Sequence, residues 1–554
     1  TDAEGRLIPM TVVPEEGPDA RIEGASVALL SAGSPEELLS AIGEMEAEEG
    51  LPHPVYQGRY AKTDPRVNSY YLILNAPLSE EEKIAAAERA GVSCVYFDDV
   101  LDGWGHFTVN RGLFPGGEAD LRAMADRAYG NGVILGAHSL TNFIKTNDPY
   151  VTPVPHPRLL VLDRTRLSAD IGPDDGEIPL EDGAHYDRKT TLNCFRIGDE
   201  LIRFGDVDAG TKTLSGCERG AFGTVRSAYR KGETVSRLVD HGYGVLFPDV
   251  VLADEMADSL GRLIRDCGIR RMSFDGLEGT AFTGHGNYAR SKFAKRVFDL
   301  VGNELLSDGS NICHYLWHAF SYCNWGEPWY DSARRGGMPG HRENHQAYFD
   351  RNLIPRMTGW YQICTNRGRF EATPPENMEF LLSRAVAWDA GSALVFAGDH
   401  GLFGEYLDLT RLWGEFRREG DIPDEVRDRM KDEFSNWHLE PDPETGGWKL
   451  TELIVRPNDL FYCDHVVHTE AGTVGSEAGR ERTEGGGTLV THAPVVIWDR
   501  ASVWLDPEEP ETLCFRIRVG EPGCGRMENL RVYGRIFFRF TAEGGDYLVY
   551  EGGR

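Results

Sequence analysis

The chain has 554 residues, of which 41% are hydrophobic and 26% are charged, and this is typical of a folded protein with two or three domains. Its formal net charge of −30 is spread along the whole chain, which argues against nucleic acid as a partner, because phosphate binding requires clustered Lys and Arg. No stretch of about 18 apolar residues is present, so we expect no membrane-spanning segment.

The cysteines and histidines do not form a recognisable metal site. The ten cysteines include no CxxC pair, the chain contains no HExxH motif, and the histidines lack the spacing of zinc ligands. We therefore expect neither a metal nor a cofactor. The cysteine pattern does not decide whether one or two disulfides form. No signal peptide is visible, but the chain starts at Thr1 rather than at Met. This is compatible with a removed leader, and we expect an extracellular or periplasmic location.

Strand-like and helix-like patterns alternate in the first part of the chain, which predicts parallel strands joined by helical crossovers. Ser34 and Ser79 each precede acidic residues and are suitable N-caps for helices. The predicted strands lie at 26–30, 70–75, 93–97 and 133–138. Two predicted helices start at Ser34 and Ser79, and a third covers 118–129.

Residues from about 155 to 240 interrupt this alternation with short strands, turn residues and almost no helix. The segments "NCFRIGDELIRFGDVD" and "LSGCERGAFGTVRSAYRKGETV" are its core. They resemble small β-modules of phage tail and baseplate proteins, in which an Ile-Gly-Asp-Glu strand precedes an Arg-Gly-Ala-Phe-Gly-Thr turn. The resemblance covers about 45 residues and implies an accessory β-rich module without chemistry of its own.

The alternation resumes after residue 240, and the chain becomes β-rich again after about residue 440. Helices are predicted at 250–267, 288–306, 345–357, 377–388 and 406–416, and strands at 270–274, 311–318, 360–364 and 392–396. With the strand at 26–30, eight strands are available. We therefore predict an α/β fold: a (β/α)8 TIM barrel from residues 1–154 and 241–435, an inserted β-rich module at 155–240, and a C-terminal β-sandwich at 436–554.

Polar side chains stand where several predicted strands end, which is where a barrel enzyme has its active site. Asp98 and Asp99 follow one strand, and Asp275 ends another, with Glu278 three residues later. The other polar residues at or after strand ends are Asn75, His138, His318 and Asp399.

A pair of carboxylates is the usual equipment for glycoside hydrolysis, in which one acts as nucleophile or base and the other as general acid. The side chains of Trp104, Trp325, Trp329 and Trp360 are candidates for stacking on sugar rings. Each of these residues also has a purely structural interpretation. Asp275 is suited to cap a helix, and Glu278 to an exposed loop.

Four segments resemble the α-galactosidase and α-N-acetylgalactosaminidase clan of barrel hydrolases. They are "YFDDVLDGWG", followed by "LFPGGEADLRAMADRAYGNGVILGAHS"; "CGIRRMSFDG"; and "SYCNWGEPW". The resemblance implies that Asp99 binds sugar hydroxyls and that Asp275 is the nucleophile. The clan's acid/base Asp has no counterpart in "RMTGWYQICTNRG". The candidates for that role are Glu278, Glu327, Asp331 and Asp399.

The preferred hypothesis is a retaining glycoside hydrolase acting on a poly- or oligosaccharide, and two alternatives stay open. A polysaccharide lyase would abstract a proton next to a uronate carboxylate, with His138, Asn142, His318 and Tyr322 as its candidate residues. A non-catalytic glycan-binding protein would not require the acids at the strand ends. The sequence does not decide whether the protein is a homo-oligomer.

Overall fold

A computed structural model describes residues 26–75, 78–97, 100–183, 186, 189–309, 316–323, 338–365, 373, 375–396, 400–432, 435–443 and 446–455, with short strands beyond residue 455. These residues form two compact units. The first contains the described residues within 26–64, 100–122 and 138–321. The second contains those within 65–97 and 123–137 and from 322 onward.

The main sheet of the structure has seven described strands. They are β1 (Tyr70–Leu74), β2 (Cys94–Phe97), β3 (Ile134–Leu140), β4 (Arg271–Asp275), β5 (Leu306–Gly309), β6 (Met357–Ile363) and β7 (Gly391–Phe396). Their order in the sheet is β5-β4-β3-β2-β1-β7-β6. The registered pairs β1–β2, β2–β3, β4–β5, β6–β7 and β7–β1 are parallel. All five residues of β1 are buried, as expected for a parallel strand covered on both faces.

The predicted strand at 26–30 is wrong. These residues have no regular secondary structure, and Leu29 is 94% exposed. The apolar alternation of this segment therefore does not face a core. The first strand of the sheet is β1, which pairs in parallel with the last strand, β7, from Tyr70 opposite Ser392 to Leu74 opposite Phe396.

Two helices start at the predicted caps, Ser34 and Ser79. Ser34 accepts a hydrogen bond from the backbone N–H of Glu37, and Ser79 and Glu82 form a capping box. The helices are α1 (Pro35–Glu49), α2 (Glu80–Ala90), α3 (Glu118–Gly130), α4 (Val250–Cys267), α5 (Gly286–Val301), α6 (Met338–Arg351), α7 (Pro375–Ala387), α8 (Phe403–Glu419) and α9 (Asp424–Lys431). None of these described helices is both long and apolar enough to cross a bilayer.

The strand after α5 starts earlier than the sequence predicts, and residues 311–315 of the predicted strand 311–318 lie outside the described residues. Helix α5 ends at Val301, where Gly302 caps it with φ +87°, and β5 starts at Leu306. The sequence pattern extended the helix to residue 306 because its apolar residues continue beyond the glycine. Residues 316–319 form a turn that follows β5.

Between the end of β3 at Leu140 and the start of α4 at Val250, the chain forms small antiparallel sheets. Val161–Arg166, Cys194–Ile197, Glu200–Arg203 and Thr234–Leu238 form one four-stranded sheet, and Ile178–Pro179, Asp206–Asp208 and Thr213–Ser215 form a three-stranded one. They enclose a hydrophobic cluster of their own that includes Phe195 and Leu214. The boundaries 155–240 of an inserted module stay a prediction.

At the neck of this segment, a second three-stranded sheet joins its two ends. Ile144–Lys145 pairs with Val245–Leu246, which pairs with Asp240–His241. The chain therefore leaves the carboxyl end of β3 and returns to the start of α4 through one compact neck.

The C-terminal part is β-rich where it is described. Ser435–Pro441 pairs antiparallel with Trp448–Val455, and Arg535–Thr541 pairs antiparallel with Tyr547–Gly553. Four short strands lie between them: Gly475–Ser476, Arg480–Thr483, Gly486–Thr488 and Val496–Ile497. Most of the predicted β-sandwich at 436–554 lies outside the described residues.

Candidate active site

Asp275 is the last residue of β4, and its side chain is half-buried. Its Oδ1 accepts a hydrogen bond of 2.8 Å from the backbone N–H of Gly276. The backbone N–H of Thr141 donates to the carbonyl oxygen of Asp275 at 2.6 Å, and that of Asn142 donates to the carbonyl oxygen of Gly276 at 3.2 Å. Main-chain hydrogen bonds thus join the ends of β3 and β4 at the carboxyl edge of the sheet, where a barrel enzyme has its site.

Gly276 makes this junction sterically feasible. Its φ is +68°, and a Cβ at this position would lie 2.7 Å from the Cα of Leu140. Glycine accepts both the left-handed backbone and the close approach of the neighbouring strand. The chain then turns directly into the short 3-10 helix Leu277–Thr283, which places Glu278 next to the strand end.

Asn142 and Glu278 contribute polar atoms that the described residues leave unpaired. Asn142 is 1% exposed, and both its Oδ1 and its Nδ2 lack a hydrogen-bond partner among the described residues. The same holds for the buried Oε2 of Glu278. A buried polar group without a partner costs about 1–3 kcal/mol, and such groups are tolerated where ordered water or a ligand satisfies them.

Gly279 brings these groups together with an aromatic ring. A Cβ at Gly279 would lie 2.6 Å from the Nδ2 of Asn142 and 2.1 Å from the Cδ1 of Phe247. Any larger residue would push the 3-10 helix away from both. Asp275, Glu278 and Asn142 therefore belong to one compact group at the carboxyl end of β4. His138 lies in β3, two residues before its end.

The structure places His318 elsewhere, contrary to its predicted position at a strand end. After β5 the chain turns back beside that strand, because the N–H of Ser321 donates to the carbonyl oxygen of Ser307 at 2.8 Å. The hydroxyl of Ser307 donates to the carbonyl oxygen of Ala319 at 2.7 Å. Ser307 is the second residue of β5, so His318 lies near the start of this strand. Its Nδ1 lies 2.6 Å from Oε1 of Glu46.

Glu46 is the centre of a buried ionic cluster that the sequence did not reveal. It is fully buried, and His53 and His318 place their Nδ1 atoms on its two carboxylate oxygens. Lys62 is also buried, with its Nζ 4.4 Å from the centre of the Trp317 ring. Burial lowers the pKa of Lys62 to about 8, against the opposing charge of Glu46. Since Glu46 and His318 are 272 positions apart, no local pattern indicates their contact.

The aromatic candidates differ in their surroundings. Trp104 is half-buried, with its ring edge against Phe143 at 6.0 Å and the Nζ of Lys145 at 4.9 Å from its ring centre. Tyr322 is fully buried, and its hydroxyl lies 3.5 Å from that of Tyr96. Trp360, within β6, is 6% exposed. Of these three residues, only Trp104 is not buried.

Several predicted site residues lie outside the described residues. These are Asp98, Asp99, Trp325 and Asp399, together with Glu327, Trp329 and Asp331. Within the described part of the chain, no group of three or more His, Cys, Asp or Glu residues has an arrangement that could hold a metal ion.

Sequence reasoning missed a His–Asp pair in the loops that follow β2 and β3. The Nδ1 of His106 lies 2.8 Å from Oδ1 of Asp148, and its backbone N–H donates to the other carboxylate oxygen at 2.9 Å. The ring of His106 stacks on Tyr150 at 3.9 Å, and the hydroxyl of Tyr150 donates to Glu255 at 2.9 Å. These contacts fix the orientation of the imidazole. The sequence separation of 42 positions hides the pair from pattern analysis.

No protein-family model and no curated protein matches the sequence. Similar solved structures include a GH36 α-galactosidase from Geobacillus stearothermophilus, with a TM-score of 0.37, 11% identity, and coverage of 76% of this chain and 51% of that chain. An α-galactosidase from Lactobacillus brevis has a TM-score of 0.41 and 10% identity, with coverage of 80% and 55%. A debranching enzyme from Nostoc punctiforme has a TM-score of 0.37 and 10% identity, with coverage of 68% and 84%.

This chain spans about half the length of the two α-galactosidases. They belong to the clan whose motifs the sequence resembles, so the predicted distant resemblance is confirmed. At TM-scores of 0.37 and 0.41, the assignment of the site rests on this chain's own residues.

Proposed function

We propose that this protein is a glycoside hydrolase that acts on a poly- or oligosaccharide, with Asp275 as its nucleophile. The observation that supports the proposal is the group at the carboxyl end of β4. A half-buried carboxylate stands at the strand end, and the unpaired amide of Asn142 and the unpaired Oε2 of Glu278 belong to the segments whose main chains meet there. A sugar hydroxyl both donates and accepts hydrogen bonds, so it can satisfy both groups.

In the proposed reaction, a carboxylate oxygen of Asp275 attacks the anomeric carbon, and the bond to the leaving oxygen breaks. A general acid protonates that oxygen as it leaves, and Glu278 is the candidate among the described residues. Water then hydrolyses the glycosyl-enzyme ester, giving its proton to the same residue, now acting as base, so the anomeric configuration is retained. Asn142 would hold a sugar hydroxyl throughout.

We further propose that the seven described strands belong to a (β/α)8 barrel in which the segment 26–30 is not a strand, with an inserted module at 155–240 and a C-terminal β-sandwich at 436–554. The parallel pairing of the first strand, β1, with the last strand, β7, supports closure, because an open sheet does not require these strands to be neighbours. The location of the insertion between β3 and α4 puts it at the carboxyl edge of the sheet, next to Asp275. An extracellular or periplasmic location also stays a prediction.

The test is product analysis on a panel of α-galactosides, maltodextrins and uronate-containing glycans. We expect the wild type to release products that have gained one water, and Asp275→Asn to release none. Asp408→Asn is the matched control, since Asp408 pairs with Arg89 in an exposed ion pair. Azide added to Asp275→Gly should restore turnover and give a glycosyl azide, because azide replaces the missing nucleophile.

Two results would refute the proposal in different ways. Unsaturated products that absorb in the ultraviolet would indicate a lyase. Two of the lyase candidates have unsuitable surroundings for proton abstraction, because His318 contacts Glu46 and Tyr322 is fully buried. Glycan binding without any turnover by the wild type would indicate a binding protein. Full activity of Asp275→Asn would exclude this residue as the nucleophile.

A further inference from the structure

The neck of the inserted segment contains an aromatic cluster that adjoins the candidate site. Its centre is two buried rings, Phe143 and Phe247, whose centroids are 5.3 Å apart in an edge-to-face arrangement. Phe143 follows Asn142 directly in the chain. Phe247 contacts the 3-10 helix at Gly279, next to Glu278. The cluster is therefore continuous with the polar group at the end of β4.

Three accessible rings surround this buried pair. Trp104 and Tyr243 contact Phe143, each with centroids 6.0 Å apart, and Phe282 contacts Phe247 at 6.1 Å. Tyr243 is 67% exposed and Phe282 is 56% exposed, whereas Trp104 is half-buried. Contiguous exposed apolar patches mark binding surfaces, and these three rings all pack on the same buried pair.

The backbone around Tyr243 favours a fixed ring position. Tyr243 lies in the tight turn between the strands Asp240–His241 and Val245–Leu246, and its N–H donates to Nδ1 of His241 at 3.3 Å. The His241 ring lies 4.8 Å from the Tyr243 ring and 4.9 Å from Phe143. A ring that already packs against two neighbouring rings loses less conformational entropy when a ligand binds than a freely rotating one.

We propose that Trp104, Tyr243 and Phe282 form an aromatic platform that binds a second sugar ring of the oligosaccharide, next to the ring held by Asn142 and Asp275. The proposal rests on the glycoside hydrolase function proposed above and names the additional binding surface of that site. The flat C–H face of a pyranose packs on an aromatic ring, and its edge hydroxyls stay hydrated. Of the three rings, Tyr243 lies in the neck of the insertion, so the insertion contributes to substrate length selection.

The experiment compares Tyr243→Ala and Phe282→Ala, each in the Asp275→Asn background, with the matched control Tyr129→Ala. Tyr129 is 45% exposed on α3, outside the aromatic cluster. Affinity is measured by calorimetry for mono- to hexasaccharides from the α-galactoside, maltodextrin and oligouronate series. A lost ring contact worth about 0.5–1.5 kcal/mol lowers affinity about threefold to tenfold.

We expect Tyr243→Ala and Phe282→Ala to lose this affinity for oligosaccharides but not for the monosaccharide. Tyr129→Ala, and a Tyr243→Phe variant that keeps the ring, should bind as the Asp275→Asn parent does. If the alanine variants bind oligosaccharides of every length with the same affinity as the Asp275→Asn parent, the platform is overturned. An equal loss for the monosaccharide would also overturn it, because the effect would then belong to the first sugar ring. Melting temperatures of all variants verify that the fold is intact.

The outcomes separate the two proposals. Length-dependent loss of affinity in a protein that hydrolyses nothing would retain the platform and refute the hydrolase. If hydrolysis through Asp275 is confirmed but the alanine variants bind oligosaccharides as the parent does, the hydrolase proposal is retained and the platform is refuted. A wild type that binds no member of the three series would refute both.

Discussion

The substitution Gly276→Ala tests the junction between β3 and β4 quantitatively. Alanine at a φ of +68° costs roughly 1–2 kcal/mol for the left-handed backbone. Its Cβ would also lie 2.7 Å from Cα and 3.0 Å from the carbonyl carbon of Leu140. Because these are main-chain atoms of a buried strand, one of the strand ends must shift, at roughly 1–3 kcal/mol for overpacking. The expected total is about 2–5 kcal/mol.

Gly284→Ala is the matched control within the same segment. Its φ is +84°, but a Cβ there would meet nothing within 4 Å, so it bears the backbone cost alone. The two variants should therefore differ by about 1–3 kcal/mol in the free energy of unfolding. In scanning calorimetry, the melting temperatures of the two variants should differ by roughly 2–4 °C for each kcal/mol, for a cooperative unit of 150–250 residues.

Activity provides a second measure of the same junction. The strand shift moves the carboxylate of Asp275, and a displacement of about 1 Å lowers kcat/KM about 100-fold. We expect this loss in Gly276→Ala and not in Gly284→Ala. Equal melting temperatures of the two variants would refute the reasoning, because the contact between Gly276 and Leu140 would then not constrain the strand ends.

Two further predictions concern buried ion pairs. Arg219→Met leaves the fully buried Glu200 carboxylate without its bidentate partner and should lower the free energy of unfolding by about 3–5 kcal/mol in urea denaturation. A loss near zero would contradict this. Burial raises the pKa of Glu46, but the His318 hydrogen bond and the Lys62 charge outweigh it, so the pKa lies below its ordinary value. The stability from ionised Glu46 is then present above its unfolded-state pKa of about 4.3 and is lost as the pH falls through the lower folded-state value. Glu46→Gln should melt lower than the wild type at pH 7 and lose less on acidification, and parallel melting curves across the pH range would refute this assignment.

Local chemistry determined much of the site's central element. An apolar run followed by Asp-Gly predicts that a strand ends at Asp275, and β4 ends there. Ser34 and Ser79 cap helices as their flanking glutamates indicate. These features depend on neighbours within a few positions, such as the free N–H groups of a helix start, so the sequence specifies them without reference to the rest of the fold.

Only the tertiary structure decided what those elements contact. The apolar alternation at 26–30 was typical of a strand, but no other strand pairs with it in the described part of the chain, and Leu29 is exposed. His318 followed a strand-like run as Asp275 did, yet the chain turns back beside β5 and pairs it with Glu46. The burial of Asn142 against Gly279 also depends on segments more than 100 positions apart. Side chains distant in sequence meet only when sheet register and close packing are established. The tertiary structure therefore determines the hydrogen-bond partner of each buried polar group.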